Sequence, residues 1–262
     1  MTQPPARFAI LGFGRIGRRI ARLRPDVAAV LVRPGQEDAA RALLPGALIA
    51  TTLDAVLATK PRMVVEVAGQ ALLRAAAVPV LRAGLDLVPL SLGAFCDDAF
   101  FAEASAAAGP GRLVIPPGTM GSLDLLGAAR ESGLTAVSYT SSRPPRGLAR
   151  TLLKDRFDLD ALTEATLVWS GTARDAGRDF PDNCNLTVGI ALAGMGLDAT
   201  RVEMIADPAA IRTTHRLTFS SGGSDGCLVV EAPPIPPGGD PADLAAFSIL
   251  RLLRRWQDPV FV

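Results

Sequence analysis

Short apolar runs alternate with helix-like segments over the first 117 residues of the chain. Residues 63–68 form a mostly apolar run between Pro61 and Gly69, which is typical of a strand buried on both faces of a parallel sheet. The pattern predicts strands at 8–11, 27–32, 47–50, 63–68, 86–90 and 112–115, and helices at 18–21, 37–44, 53–58, 71–83 and 97–108. This alternation predicts an α/β fold with a doubly wound parallel sheet.

The pattern changes at Pro116-Pro117-Gly118. Beyond this point it predicts strands at 136–140, 165–170, 201–206, 215–219 and 227–230, and helices at 123–131, 174–180 and 185–195. We therefore expect a second, smaller α+β domain with a mixed or antiparallel sheet. A Pro/Gly-rich loop over 233–241 leads into a final helix, 242–256, which we expect to return to the first domain. The predicted division is 1–117 plus 237–262 for the first domain and 118–236 for the second.

Composition narrows the class of protein. The chain has 262 residues, a net charge of +1 and no run of like charges. This balance argues against a nucleic-acid partner. No apolar segment approaches the roughly 20 residues that a membrane span needs, and the N-terminus lacks the profile of a signal peptide. We therefore expect a cytoplasmic protein with no membrane partner.

The three cysteines and the single histidine exclude several kinds of site. Cys96, Cys184 and Cys227 are far apart and lack CxxC spacing, which argues against a disulfide framework and against a zinc site. One histidine cannot form a cluster of imidazole ligands, and no carboxylate spacing indicates an oxygen cage. We expect reduced thiols and no metal.

The first strand runs directly into Gly12-Phe13-Gly14-Arg15-Ile16-Gly17. Gly12 permits a tight turn, Gly14 lets the backbone approach a diphosphate, and Gly17 lets the next helix pack closely on the strand. The N-terminus of that helix offers N–H groups and a partial positive charge to an anion. A second strand follows at βαβ spacing, so residues 12–17 are predicted to bind a dinucleotide in a Rossmann unit, although a glycine-rich loop without a ligand is the alternative.

Arg33 follows the second strand of this unit, where an Asp or Glu usually binds the ribose 2′-hydroxyl of NAD. Glu37 and Asp38 come only after the turn at Pro34-Gly35. A guanidinium can bind a 2′-phosphate through two hydrogen bonds, so we predict NADP, or loose discrimination between NADP and NAD. A solvated arginine at a loop tip is the alternative.

His215 is the candidate catalytic residue, because an imidazole exchanges protons near neutrality and this one lies where a loop meets a strand. Asn183 and Asn185 precede or open a predicted helix, where they either cap it or hold a nicotinamide carboxamide or a substrate carboxylate. Arg143 and Arg146 flank a Pro-Pro turn and are weaker candidates for binding a substrate carboxylate.

Several motifs in order resemble the L-aspartate dehydrogenase family, whose NAD(P)-dependent enzymes oxidise L-aspartate to iminoaspartate for pyridine nucleotide biosynthesis. The resemblance spans most of the chain and rests on the glycine motif and on six further segments: 66–69, 118–124, 139–145, 180–185, 192–198 and 205–208 ahead of His215. It implies that His215 is the active-site residue. It also implies cofactor contacts at Ala68, Gly69, Thr119 and Asn183 or Asn185, a small amino- or keto-acid substrate, and a homodimer formed through the sheet of the second domain.

The chain also departs from the family pattern. Thr119 stands where the family usually has Ala, Asp182 where Lys is common, and Thr213 where Asn is common. Residues 238–242 replace a family segment that carries Lys, and acids near a dicarboxylate site weaken its attraction for substrate. Two alternatives therefore stay open: a related reductase for another imine or amino acid, and a dinucleotide-binding sensor or partner subunit without catalysis.

Overall fold

A computed structural model describes residues 8–121, 123–149, 151–232, 244–256, 258 and 260. The chain divides into two compact units, Met1–Gly118 with Asp243–Val262 and Thr119–Ala242. Several features of the sequence lie outside the described residues: Ser122 of the 118–124 motif, the loop 233–241 with the departure at 238–242, the predicted boundary at 236–237, and the start of the predicted final helix.

The first unit contains a parallel five-stranded sheet with the strand order β3-β2-β1-β4-β5. Its elements are β1 (Phe8–Leu11), α1 (Arg15–Leu23), β2 (Val27–Leu31), α2 (Glu37–Leu43), β3 (Leu48–Ala50), α3 (Leu53–Ala58), β4 (Met63–Glu66), α4 (Gln70–Arg82), β5 (Asp86–Pro89), a 3₁₀ helix (Leu92–Cys96) and α5 (Asp98–Ala107). Every residue of β1, β2, β4 and β5 is buried. The predicted doubly wound sheet is confirmed, and its winding reverses beside β1, where such folds bind ligands.

The predicted strand at 112–115 is wrong. Leu113 forms only an isolated bridge with Leu87 of β5. Two hydrogen bonds make this bridge, from the Leu87 N–H to the Arg112 carbonyl and from the Val114 N–H to the Leu87 carbonyl, both 2.8 Å long. Residues 116 and 117 are prolines, which have no N–H to donate, so the ladder ends there.

The second unit contains a mixed five-stranded sheet with the strand order β10-β9-β6-β8-β7. Its elements are α6 (Leu123–Glu131), β6 (Leu134–Arg143), β7 (Thr166–Thr172), α7 (Ala173–Asp179), α8 (Asn185–Ala193), β8 (Arg201–Ala206), β9 (Thr214–Ser221) and β10 (Asp225–Glu231). Strands β6 and β8 are parallel, and the other pairs are antiparallel. Three short 3₁₀ helices, which the pattern did not predict, lie between β6 and β7.

Strand β6 has one buried face, because its side chains alternate between buried and more exposed positions from Val137 onwards. Val137, Tyr139 and Ser141 lie on the buried face. The antiparallel register places Leu217 of β9 opposite Tyr139, and His215 opposite Ser141. The sheet therefore brings an imidazole, a phenol and a hydroxyl to one buried face.

The final helix α9 (Leu244–Arg255) packs into the core of the first unit, as predicted. Ala246, Ile249 and Leu253 recur at helical spacing and lie in one hydrophobic cluster with Ile20 of α1 and Phe8 of β1. In the described part of the chain, no helix has the length and apolar character that a membrane span requires. Cys96, Cys184 and Cys227 are thiols that form no disulfide.

Candidate active site

Gly12 and Gly17 are both required by close packing at the turn from β1 into α1. Gly12 has a φ of +111°, a left-handed conformation that favours glycine. A Cβ on Gly12 would lie 2.7 Å from the Cβ of Ala68, in the loop after β4. A Cβ on Gly17 would overlap the carbonyl oxygen of Gly12, so α1 lies directly against the end of β1. This geometry is the one that the sequence motif predicts.

Gly14 has a different environment. It is the N-cap of α1, where no described side chain caps the helix, and a Cβ built on it meets nothing within 4 Å. The first N–H groups of α1 therefore adjoin open space beside a residue without a side chain. A diphosphate fits this arrangement, since it needs main-chain donors and no obstructing Cβ.

The other residues of the motif serve the turn in different ways. Phe13 is buried, and the half-buried Ile16 packs against the hydrophobic core. Their side chains therefore belong to the protein interior, and their main chain is the part that can contact a ligand. Arg15 is exposed at the first position of α1.

Glu66, which had no predicted role, ends β4 with a fully buried side chain. Its carboxylate accepts hydrogen bonds from the N–H groups of Ala68 (2.7 Å), Gly69 (2.9 Å) and Ser91 (3.1 Å), and from the Ser91 hydroxyl (2.9 Å). A buried carboxylate needs such donors to offset its lost hydration. Glu66 therefore positions Ala68 and Gly69 at the carboxyl edge of the sheet. An acid at the end of an otherwise apolar strand was the sequence signal for this role.

Arg33 lies two residues after β2, whose carboxyl end adjoins that of β1. Its side chain is exposed, and within the described part of the chain its guanidinium has no ion-pair partner. Glu37 is engaged elsewhere, because its carboxylate accepts the N–H of Gly35 at 2.6 Å. The first charge after β2 is therefore an accessible cation, which is suited to a phosphate.

His215 is the second residue of β9 and is hydrogen-bonded to Tyr139 of β6. The Tyr139 Oη lies 2.7 Å from Nδ1 of His215. The two rings are nearly parallel, with centroids 6.1 Å apart. The imidazole is therefore held through Nδ1, and Nε2 is the nitrogen left for a ligand.

Arg143 ends β6 on the same face as Tyr139 and Ser141. Its Nε and Nη2 donate to the Ser141 Oγ, at 3.2 and 2.6 Å. A Cβ on Gly147 would lie 3.4 Å from the Arg143 Cδ, so the turn after β6 passes over its methylene groups. Among the described residues, no carboxylate lies within ion-pair distance of this half-buried guanidinium.

Burial and charge shift the pKa values of His215, Tyr139 and Arg143. Burial lowers the pKa of His215 from 6.5 to about 4, and the positive charge of Arg143 adds to the shift. Burial also raises the pKa of Tyr139, although Arg143 and a hydrogen bond from Ser141 oppose this. Burial lowers the pKa of Arg143, but an arginine keeps its charge in proteins. At neutral pH the imidazole and the phenol are both uncharged beside one cation.

Arg146 does not share this environment. It is exposed in the Pro145–Gly147 turn and lines an open surface pocket of about 470 Å³ with residues 154–160. The pocket lining mixes acids and bases, including Asp155, Asp158 and Lys154. The structure thus separates the two arginines that the sequence treats alike.

The remaining predicted residues lie at helix starts of the second unit. Thr119 is half-buried in the turn before α6, Asn183 is exposed before α8, and Asn185 is the first residue of α8. The alternative that an asparagine is the N-cap of α8 is wrong, because the N-cap is Cys184, whose side chain makes no capping hydrogen bond. The predicted ligand contacts of Asn183 and Asn185 remain predictions.

Family models match both units. A model described as "Aspartate dehydrogenase, C-terminal" matches residues 124–256, and one described as "Homoserine dehydrogenase, NAD binding domain" matches residues 12–112. The first covers about half of the chain and includes the His215 cluster. The second covers the glycine-rich turn and Glu66.

Individual relatives agree with these matches. The L-aspartate dehydrogenase of Ruegeria pomeroyi is 37% identical over 254 residues, which cover 95% of this chain and 92% of that protein. The L-aspartate dehydrogenase 1 of Bordetella parapertussis is 43% identical over 223 residues, 81% of each chain. The crystal structure of aspartate dehydrogenase from Thermotoga maritima shares the fold, with a TM-score of 0.79 at 23% identity over 98% of this chain and 99% of that one. The chain therefore belongs to the L-aspartate dehydrogenase family.

Proposed function

We propose that this protein is an NAD(P)-dependent dehydrogenase that oxidises L-aspartate to iminoaspartate and, in reverse, reductively aminates oxaloacetate. The observation that carries the proposal is that the sole imidazole and the Arg143 guanidinium lie on one buried face of the second sheet. A partly desolvated cation without a carboxylate partner in the described chain favours an anionic ligand. L-Aspartate offers two carboxylates, and a guanidinium binds a carboxylate in a fixed geometry.

The roles of the site residues follow from their chemistry. Arg143 binds a substrate carboxylate through the N–H groups that do not bind Ser141. His215 contacts the reacting end of the amino acid through Nε2, where it either accepts a proton or donates a hydrogen bond. When bound, a nicotinamide dinucleotide supplies the acceptor for the hydride that leaves Cα.

The glycine-rich turn is the proposed site for this dinucleotide. The main chain of residues 12–17 would hold the diphosphate, and the loop at Ala68 and Gly69 would contact the cofactor at the same sheet edge. Thr119 and Asn183 or Asn185 are proposed to contact the nicotinamide. The exposed Arg33 guanidinium favours NADP over NAD, because it offers two donors to a 2′-phosphate.

The outward face of the second sheet supports a homodimer. Leu167 of β7 and Val229 of β10 lie on this face and are 52% and 42% exposed. Between them the face carries half-buried residues such as Thr140, Ser142 and Ile205. We expect a dimer by light scattering, and Leu167→Glu should shift it towards the monomer. The cytoplasmic location expected from the sequence remains a prediction that cell fractionation would test.

The decisive experiment follows NADPH absorbance with oxaloacetate and ammonia, and then with a panel of other 2-oxo acids. Fastest turnover with oxaloacetate supports the proposal. Faster turnover with another acid favours the related reductase, and tight NADPH binding without turnover favours a sensor or partner subunit. His215→Ala should lower turnover about a hundredfold or more and leave NADPH affinity unchanged. Thr218→Ala, on the opposite face of β9, should change neither.

A further inference from the structure

The hydrogen bonds that lead to His215 begin at the guanidinium of Arg143, which can only donate. A guanidinium has five N–H groups and no acceptor. Two of these groups on Arg143 donate to the Ser141 Oγ, at 3.2 and 2.6 Å. Because a serine oxygen has two lone pairs, both are occupied. The Ser141 hydroxyl must therefore act as a donor in its next contact.

Tyr139 lies two residues earlier on the same face of β6, and a hydrogen bond from Ser141 is one of the causes that oppose the rise in the pKa of its phenol. The Ser141 oxygen cannot accept the phenol proton, because Arg143 occupies both of its lone pairs, so this proton needs a different acceptor. Tyr139 is only 3% exposed, and Nδ1 of His215 lies 2.7 Å from its oxygen. A proton on Nδ1 would leave the phenol O–H as an unsatisfied buried donor, which is costly. The lone pair of His215 therefore faces Tyr139.

We propose that the hydrogen-bond chain from Arg143 through Ser141 and Tyr139 holds neutral His215 in the tautomer whose proton is on Nε2. His215 would then present a hydrogen-bond donor to the substrate, and Tyr139 and Ser141 are positioning residues. This inference rests on the proposed function, since it assigns the form in which His215 serves that reaction.

The tautomer decides between two roles of Nε2, proton acceptance and hydrogen-bond donation, that the geometry of His215 alone leaves open. An imidazole with a proton on Nε2 cannot accept the ammonium proton of an amino acid at that nitrogen. It can donate a hydrogen bond to the carbonyl oxygen of a 2-oxo acid and polarise it, as a neutral histidine does in other enzymes. In the direction of oxidation, the ammonium proton then leaves to solvent and the free amine is the reacting form.

Nitrogen NMR tests the tautomer directly. With ¹⁵N-labelled histidine, the sole imidazole gives one pair of ring signals. At pH 7 we expect Nε2 to show the shift of a protonated nitrogen and Nδ1 that of an unprotonated one. A protonated Nδ1, or two averaged signals, would overturn the proposal.

Variants test the role of the chain. Tyr139→Phe and Ser141→Ala should move both signals towards the averaged position of two exchanging tautomers, and Ser141→Thr, which keeps the hydroxyl, should restore the original spectrum. Ser142→Ala removes a hydroxyl from the opposite face of β6 and should leave the spectrum unchanged. Spectra of Tyr139→Phe and Ser141→Ala identical to that of the unmodified protein would contradict the assigned positioning roles.

Kinetics of the same variants separate this inference from the proposed function. Tyr139→Phe should lower kcat about tenfold with little change in the KM for NADPH. If His215→Ala keeps full turnover while the spectrum of the unmodified protein shows a proton on Nε2, the catalytic role of His215 is wrong and the tautomer assignment holds. If His215→Ala is inactive while Nδ1 of the unmodified protein carries the proton, the catalytic role of His215 holds and the tautomer assignment is wrong.

Discussion

The only tyrosine and the only histidine of the chain are hydrogen-bonded to each other, with the Tyr139 Oη 2.7 Å from Nδ1 of His215. They are diagonal neighbours on two antiparallel strands, because His215 is opposite Ser141 and Tyr139 is opposite Leu217. The register of β6 and β9 therefore sets the orientation of the imidazole. Any change that slips this register by one residue would turn His215 to the other face of the sheet.

His215 should make the stability of the protein depend on pH. Its pKa is about 4 in the folded protein and near 6.5 when unfolded, so the unfolded chain binds more protons between these values. The contribution of His215 to the free energy of unfolding should therefore be fully present above pH 6.5 and be lost as the pH decreases towards 4. The shift corresponds to about 3 kcal/mol at pH 4.

Urea unfolding at a series of pH values measures this contribution. His215→Gln lacks the titrating ring, so its stability should decrease less than that of the unmodified protein as the pH falls. Other groups titrate in both proteins, and the difference between the two curves isolates the imidazole. Parallel curves would show that His215 has an ordinary pKa in the folded state.

Arg143 should contribute to substrate binding more than Arg146 does. Arg143→Lys keeps the charge but loses the planar fork, so the KM for oxaloacetate should rise about 10- to 100-fold. Arg146→Lys changes an exposed side chain and should raise this KM by less than about threefold. Steady-state kinetics of both variants provide the comparison. A larger effect at Arg146 would show that the substrate carboxylate binds in the pocket beside Arg146 and not at Arg143.

Alanine at Gly17 should impair stability, whereas alanine at Gly14 should impair NADPH binding. Gly17→Ala forces a Cβ against the carbonyl of Gly12, which should cost about 1–3 kcal/mol of stability even though alanine favours helix. Gly14→Ala points into open space and should leave the thermal midpoint unchanged, while it weakens NADPH binding at least about tenfold. Thermal unfolding and NADPH fluorescence measure the two effects. Equal loss of stability in both variants would contradict this division.

Arg33 should discriminate between the two dinucleotides. Arg33→Ala should weaken NADPH binding about 10- to 100-fold and leave NADH binding within about twofold, because only NADPH carries the 2′-phosphate. Fluorescence titration with each dinucleotide measures the ratio. Arg82→Ala, at the end of α4 and the opposite sheet edge, is the matched control. An equal loss for both dinucleotides would place Arg33 outside the 2′-phosphate site.

The fold of the first unit was predictable because buried parallel strands and the glycine motif leave direct sequence patterns. The strand expected at 112–115 failed for a reason that the same sequence contains, since Pro116 and Pro117 end the ladder. The 3₁₀ helices after β6 were not predicted, because segments of three or four residues have too few positions to show a period.

The polar contacts of the site were less predictable than its main residue. His215 could be selected because it is unique, but Tyr139 and Ser141 acquire their roles from strand pairing over 76 residues of sequence. Arg143 and Arg146 are equivalent by pattern, and only the end of β6 and the turn that follows it give them different burial. Such relationships depend on register, which a single sequence specifies only weakly.

Glu66 gives the first unit a further property. Its buried carboxylate joins the amides of Ala68 and Gly69 to that of Ser91, so two loops separated along the chain share one anchor. Loss of this anchor would release all three amides in one event. Their hydrogens should therefore exchange with deuterated water at a common rate, as a cooperative opening unit.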